Sequence, residues 1–526
     1  MSDRPQSSRP GRRGVLRGAL ATSAALALPA VGGAAAPAFA LSGRPKAGWG
    51  VQAGDVGAHS GLVWVRSDRP ARMVVETSAT ESFKNLTRWR GPLIGPDTDF
   101  TGTTRLRGLP PGEQIHYRVR LADPDDPRRT GEPVEGTFRT ASVSRRDGVR
   151  FLWSGDIAGQ GWGINPDRGG YRVYEDMRAL DPDFFLCSGD NIYADGPILP
   201  SVTLPDGRVW RNVTTEEKSK VAETLDEFRG AFRYNLLDEN LRRFNAQIPT
   251  ITQWDDHEVH NNWYPGQILT DERYTEKNVD VLSARSLRAF SEYFPISTLP
   301  PGDSEGRVYR VLRQGPLLDV FVLDMRTYRN ANSPGRQTED ATGILGAEQL
   351  AWLKRELSRS RAVWKVIASD MPLGLVVPDG TNFEAVAQGD PGAPLGRELQ
   401  LAELLRHIKH ERITGTLWLT TDVHYTSAQH YEPSNAAFKD FEPFWEFVSG
   451  PLAAGGFKAL KLDGTLGPRQ VFIKAPDRNN TSPAETPPYF GEVEIDGGSG
   501  ELTVRLRQEG GDVLFAQTLQ PGRVGQ

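Results

Sequence analysis

The sequence predicts a large α/β region preceded by a small all-β unit, and three observations carry that expectation. From Val149 onward, apolar strand-like runs alternate with amphipathic helical stretches, as in a sheet covered by helices. Before Ser142 the runs are short, alternate in polarity and are separated by Pro and Gly turns. Five apolar runs in the α/β region end on an acidic residue, where open α/β sheets gather their ligands.

The first 40 residues stand outside this scheme. Arg12-Arg13-Gly14-Val15-Leu16-Arg17 is a twin-arginine pattern, Leu20 to Val31 is an Ala-rich apolar core, and Ala38-Phe39-Ala40 fits a small-residue cleavage site. Residues 1–40 are therefore expected to be a signal peptide handled by the twin-arginine translocase. The product is expected to be secreted, extracellular or wall-associated. The apolar core is too short to favour spanning a bilayer, and no later stretch is long and apolar enough.

Residues 44–143 form the expected β unit. Gly61 to Arg66 and Ala71 to Glu76 alternate as half-buried strands, Thr103 to Arg107 is a strand entering the turn Leu109-Pro110-Pro111-Gly112, and Ile115 to Leu121 follows. This last segment resembles fibronectin type III sandwiches. His59 and His116 lie here and are assigned no site. Ser142 to Gly148 is polar and basic, a linker.

Residues 148–526 form the α/β domain. Its strands are Val149–Trp153, Phe184–Ser188, Pro249–Trp254, Leu317–Leu323, Ala362–Ala368 and Gly415–Leu419. A helix opens at Tyr171, Thr215 to Asn245 is expected to be mostly helical, and Ala347 to Ser360 and Leu401 to Glu411 are helices. Phe490–Ile495 and Glu501–Leu506 read as a hairpin extending the sheet.

Composition narrows the function. The chain has 526 residues, 38% hydrophobic and 25% charged, with a formal net charge of −5. The signal segment carries five Arg and one Asp, so the remainder is near −9. No nucleic-acid-binding surface is expected from that balance. Cys187 is the only cysteine, which excludes a disulfide framework and reads as a core residue.

The five strand ends are Trp153-Ser154-Gly155-Asp156, Cys187-Ser188-Gly189-Asp190-Asn191-Ile192-Tyr193, Trp254-Asp255-Asp256-His257-Glu258, Ala368-Ser369-Asp370-Met371-Pro372 and Thr421-Asp422-Val423-His424. One strand-end Asp is ordinarily a turn or cap residue. Five in order, two of them followed by His, point to a shared site, and a carboxylate beside a phenol suits a hard, highly charged cation. The expectation is that these ends meet around two metal ions.

These residues resemble the calcineurin-like metallophosphatases. Gly155-Asp156 and Gly189-Asp190-Asn191-Ile192-Tyr193 look like purple acid phosphatase motifs. Trp254 to Val259 with Asn261-Asn262, the Leu323-Asp324-Met325-Arg326 strand end and the preceding sandwich look more like the alkaline phosphatase D family. That resemblance implies a catalytic β-sandwich flanked by helices. It departs where many alkaline phosphatase D members place a cysteine and this chain has Asp156. Carried over, the first metal would take Asp156, Asp190, Tyr193 and His424. The second would take Asp190 as a bridge with Asp256, Asp370 and Asp422. Purple acid phosphatases have Asn and two His where this chain has three carboxylates. Oxygen donors favour Ca²⁺, Mn²⁺ or Mg²⁺ over zinc, and the phenol favours Fe³⁺, so Fe³⁺ with Ca²⁺ is expected, Mn²⁺ and Mg²⁺ being the alternatives for the second metal.

By the same resemblance, His257 hydrogen-bonds the phosphate and helps the leaving oxygen. Asn191, His260 and Asn261 are candidates for substrate or outer-sphere contacts, as is His430. Asp255 reads as structural, Asp195 as a supporting neighbour, and His407 and His410 as surface residues. The expected activity is hydrolysis of phosphoric mono- or diesters by a hydroxide activated between the metals. The alternatives are a phospholipase D-type diesterase acting on phospholipids and a non-catalytic secreted protein binding phosphate or metal.

Overall fold

The computed structural model describes residues 43–303, 306–339 and 343–522. The expected signal peptide lies outside the described residues. Two large sheets form the centre of the α/β region. The first has nine strands, in the order Val513–Leu519, Leu502–Gln508, Tyr489–Ile495, Val149–Ser154, Phe184–Ser188, Thr250–Gln253, Val51–Gly54, Ser60–Arg66, Thr101–Arg107. The second has seven, in the order Arg310–Gln314, Leu318–Val322, Trp364–Ala368, Thr416–Thr420, Phe444–Val448, Thr426–Tyr431, Pro468–Lys474. Inward residues of the two sheets share one core, in which Phe151, Trp153, Leu186 and Ile251 meet Val320, Val366, Leu417 and Phe447. Both faces of these strands are therefore apolar, which is why they read as continuous hydrophobic runs.

Helices cover the outer faces. α1 (Val173–Ala179) and α3 (Glu239–Gln247) pack on Leu152, Phe185 and Cys187 of the first sheet. α2 (Leu225–Asn235) and α4 (Val279–Tyr293) enclose Trp254. α5 (Gly346–Arg359) and α6 (Glu398–His410) pack on Phe321, Ile367 and Trp418 of the second sheet. The architecture is thus the β-sandwich flanked by helices that the sequence implied, with an all-β unit before it.

Two boundaries differ from the sequence expectation. Residues 215–224 are not helical. There Lys218 is buried, and its ammonium donates to the carbonyls of Tyr193 at 2.5 Å and Gly196 at 2.7 Å. α2 instead starts at a capping box, in which Thr224 and Glu227 satisfy each other's backbone N–H groups. In the β unit, the four-stranded sheet Thr87–Ile94, Ala71–Ser78, Gln114–Ala122, Val134–Arg139 stands by itself. The facing strands Val51–Gly54, Ser60–Arg66 and Thr101–Arg107 instead continue the nine-stranded sheet, through the pairing of Gly54 with Thr250.

The strands that matter run parallel. Val149–Ser154, Phe184–Ser188 and Thr250–Gln253 are parallel neighbours, as are Leu318–Val322, Trp364–Ala368 and Thr416–Thr420. Their carboxyl ends are stitched across the two sheets. Gln253 donates to the carbonyls of Leu323 (2.9 Å) and Ala368 (3.2 Å), and Thr421 donates to the carbonyl of Ser188 (2.9 Å).

Candidate metal centre

The loops leaving these strand ends carry the candidate residues, and their backbone is bent to do so. Asp156, Asp190, Asp422 and His424 have φ of 64°, 48°, 71° and 57°. Non-glycine residues seldom adopt such angles, and they persist only where the surroundings hold them. Gly189, at φ 104°, makes the turn before Asp190, and a Cβ there would lie 2.5 Å from the Cβ of Asp255.

Three groups of potential ligand atoms result: Asp156, Asp190 and His424; Asp190, Asp256 and His257; and Asp255, Asp256 and Asp422. Within each group the ligand atoms lie within 4.8 Å of one another. Asp190 belongs to two groups and Asp256 to two, so the three form one chain of sites. Tyr193 joins the first, its hydroxyl 2.8 Å from His424 Nε2. His424 donates through Nδ1 to the Gly455 carbonyl (2.6 Å), which leaves Nε2 as the unprotonated nitrogen, accepting from the Tyr193 hydroxyl and lying 3.8 Å from Asp156. Asp370 falls in none of these groups. Its carboxylate is buried with both oxygens unbonded and lies 3.6 Å from Arg326 Nε.

The donor set fits cations. Both oxygens of Asp156, Oδ2 of Asp190 and Oδ1 of Asp256 are buried without a hydrogen-bond partner. Orphaned buried carboxylate oxygens are costly unless something charged satisfies them. Burial, followed by the charge of neighbouring carboxylates, pushes Asp156, Asp190, Asp370 and Asp422 well above the usual carboxylate range. That is the signature of a cluster short of positive charge, which hard cations supply. His424, driven down to about 4 by burial, is neutral and available as a ligand.

Three residues that sequence reasoning passed over or treated lightly complete the centre. Arg326 is fully buried. It donates to Asp255 at 2.5 Å, pairs with Glu384, and lies 3.9 Å from Asp256. Asp255 is thus anchored to Arg326 while keeping Oδ2 unbonded among the candidate ligands. Glu258 accepts from the backbone N–H and side-chain amide of Asn191 (2.6 and 2.8 Å) and from the Asp255 N–H (2.8 Å), tying two site loops together. Asp195 accepts from His257 Nδ1 (2.8 Å) and from the Asn261 N–H (2.9 Å). Burial alone would lower His257, but the charges of Asp195 and Asp256 push it up to about 10. Asp195 thus holds the His257 ring through Nδ1 at the edge of the cavity.

The centre opens into a cavity of about 420 Å³, lined by Asp190, Asp256, His257, Asn261, Glu384, Asp422 and His424, among others. Asn191 does not reach it. Its amide donates to Gln253 and Glu258 and its oxygen accepts from Cys187, so it braces the loop from behind. His260 also turns away, bonding the Asn261 carbonyl at 2.8 Å beside Tyr274. His430 is buried in the strand Thr426–Tyr431 against Trp445, removed from the site. His407 and His410 lie on α6, with the His410 ring 3.3 Å from Asp440.

Comparisons with known proteins agree with this geometry. The family model described as PhoD-like phosphatase matches residues 151–506, and its N-terminal domain model matches residues 33–142. Alkaline phosphatase D of Bacillus subtilis (strain 168) is 27% identical over 449 residues, covering 79% of this chain and 71% of that protein. A solved structure of PhoD superposes with a TM-score of 0.67 at 21% identity, covering 92% of this chain and 90% of its own. The purple acid phosphatase PPD1 from yellow lupin (Lupinus luteus) seeds superposes with a TM-score of 0.57 at 14% identity, covering 91% and 74%. The last two likenesses concern the fold.

Proposed function

We propose, from the premise that the chain belongs to the PhoD-like phosphatase family and is a phosphoric ester hydrolase, that it cleaves phosphoric mono- and diesters at a centre of two cations. Asp156, Asp190, Tyr193 and His424 would hold Fe³⁺. Asp190, Asp256 and Asp422, with Asp370 or Asp255 completing the set, would hold Ca²⁺. When bound, such ions neutralise phosphate oxygens and raise the acidity of water at neutral pH.

The remaining chemistry belongs to the chain. Hydrolysis forms a bond from a water oxygen to phosphorus and breaks the bond to the leaving alcohol, whose oxygen takes the electron pair. His257, protonated and oriented by Asp195, gives its Nε2 proton to that oxygen. The attacking water loses its own proton to solvent. Asn261, whose N–H is fixed on Asp195, lines the cavity and offers its amide to the phosphate. Residues 1–40 would direct export through the twin-arginine translocase.

The observation that carries this proposal is the sharing of Asp190 between the group containing His424 and the group containing His257. The test is metal analysis and visible absorption of protein exported by its own host, with parallel assays on p-nitrophenyl phosphate, bis-p-nitrophenyl phosphate and phosphatidylcholine. Tyrosinate on ferric iron colours the protein. A colourless, iron-free preparation with full activity removes the ferric assignment.

A further inference from the structure

The β unit differs in charge from the rest of the chain. Residues 44–143 carry 15 Lys and Arg against 12 Asp and Glu, while the whole chain stands at −5. Part of that excess gathers on the outer face of the four-stranded sheet, which register defines. Glu76 lies opposite Arg88 and Arg118, Val74 opposite Arg90 and Arg120, and Arg72 opposite Ala122. Their neighbours Met73, Val75, Val119 and Leu121 point the other way, into the core of the unit. Arginines thus stand in two rows, Arg88 with Arg90 and Arg118 with Arg120, on either side of the strand Ala71–Ser78. Members of a row are about 7 Å apart, and the rows are about 10 Å apart.

The floor between the rows holds one acid. Glu76 is 1% exposed and accepts from Nε of Arg88 (2.8 Å), Arg118 (2.5 Å) and Arg120 (3.2 Å). It fixes three guanidinium groups through one nitrogen each, and their terminal nitrogens stay available. Arg118 also rests on the Phe83 ring, 4.4 Å from its centroid. Arg88 is 70% exposed. Arg90, also exposed, has no hydrogen-bond or ion-pair partner among the described residues. Glu135, opposite Arg118 on the edge strand, is the face's other acid, so five arginines outnumber two carboxylates.

We propose that this face binds a linear, soluble polymer with repeated phosphate groups, laid along Ala71–Ser78 with arginines on both sides. Guanidinium forks match phosphate oxygens, and a row of them favours a partner whose charges repeat. Single-stranded nucleic acid is held largely by stacking of its bases, and no ring is offered here. Trp89 and Tyr117 belong to the core of the unit, and Phe83 is 7% exposed beneath Arg118. A membrane surface calls for apolar side chains to insert, and Leu93 is the sheet's one exposed large apolar residue. A phosphate polymer also shares its chemistry with the phosphoric esters that the family hydrolyses. The inference is independent of how the metal centre is read.

Binding of labelled long-chain inorganic polyphosphate is measured by anisotropy on the purified full chain, with and without chelator. The expected result is binding in both, weakening as salt rises. Arg72→Gln with Arg90→Gln, which leaves the Glu76 pairs intact, should raise Kd about 10-fold. Arg90→Glu alone, at an exposed position, should raise it as far. Arg208→Gln with Arg211→Gln removes the same charge from an exposed hairpin of the α/β region and should leave Kd unchanged. No binding, an unchanged Kd in both face variants, or an equal loss in the Arg208 and Arg211 variant overturns the proposal. So does tighter binding, at equal phosphate, to a single-stranded oligonucleotide or to phosphatidylglycerol vesicles. Binding that chelator abolishes belongs to the metal centre and overturns it too. Failure of the ester-hydrolase reading would show instead as absent turnover with this binding intact.

Discussion

Replacing Gly189 by alanine probes how the centre is held. The residue sits at φ 104°, and an added Cβ would approach the Cβ of Asp255 to 2.5 Å and its backbone nitrogen to 3.1 Å. A left-handed backbone costs an L-residue about 1–2 kcal/mol. Forcing a methyl into packed structure adds about 1–3 kcal/mol. The variant should therefore lose about 2–5 kcal/mol. Gly108 supplies the control, since its φ is 65° and no atom lies within 4 Å of its added Cβ. Gly108→Ala carries only the backbone cost, about 1–2 kcal/mol. Urea unfolding in chelator, read as midpoint shifts at unchanged slope, measures both. The two also differ in function. The clash at Gly189 pushes on Asp255, which Arg326 holds, and displaces the adjacent Asp190 from its partners. Gly189→Ala should thus be purified with less than its full metal complement, while Gly108→Ala keeps it. Equal midpoints for the two variants, or full metal content in Gly189→Ala, would refute the reasoning.

Three further outcomes are expected. Asp195→Asn removes the charge and leaves one acceptor oxygen for two donors, His257 Nδ1 and the Asn261 N–H, so kcat should fall about 10- to 100-fold, more for alkyl esters than for p-nitrophenyl esters, which need less help in leaving; an equal loss for both would show that Asp195 does not act through His257. Arg326→Met leaves Asp255 buried without its ion-pair partner and Glu384 with only the longer contact to Arg329, which should destabilise the chelated protein by about 3–5 kcal/mol, measured by equilibrium unfolding. Glu398, on α6, is pushed up to about 7 by burial and by Asp463; its protonated form suits the fold, so wild type should lose up to about 3 kcal/mol relative to Glu398→Gln as pH rises from about 4.5 to about 7, with no further change above, as parallel unfolding curves would register.

The parallel strands were legible because both of their faces are buried, and a continuous apolar run leaves few alternatives. Phe444–Val448 and Thr426–Tyr431 were not, because polar residues interrupt them. Glu446 is fully buried in the first of these, where it accepts from the Leu373 N–H at 2.7 Å and from the Tyr431 hydroxyl. A carboxylate satisfied from distant segments looks, in sequence, like a loop residue. The reverse error arose at Lys218, whose charged neighbours suggested an exposed helix, although its ammonium caps two carbonyls inside. The convergence of Asp156, Asp190, Asp256 and Asp422 was legible from their position at strand ends, whereas Asp370 falls in none of the groups. Arg326 and Glu384 were not legible, because only tertiary folding brings them together behind Asp255. Pairing of Gly54 with Thr250 was hidden for the same reason, since register between remote strands leaves no local pattern.

These details bear on why the centre lies between two sheets. Strained φ values at Asp156, Asp190, Asp422 and His424 each cost on the order of 1–3 kcal/mol, and the unpartnered carboxylates add to that. A single loop could not hold such a set in place. Here Asp156, Asp190 and Asp422 each lie two residues after a strand, His424 lies two residues before the next strand, Thr426–Tyr431, and the strand ends are cross-linked by Gln253 and Thr421. Arg326 offsets part of the negative charge from behind and leaves the front of Asp190, Asp256 and Asp422 open to the cavity. The sheets supply rigidity, the arginine offsets part of the charge, and the deficit that remains is the kind a cation would satisfy.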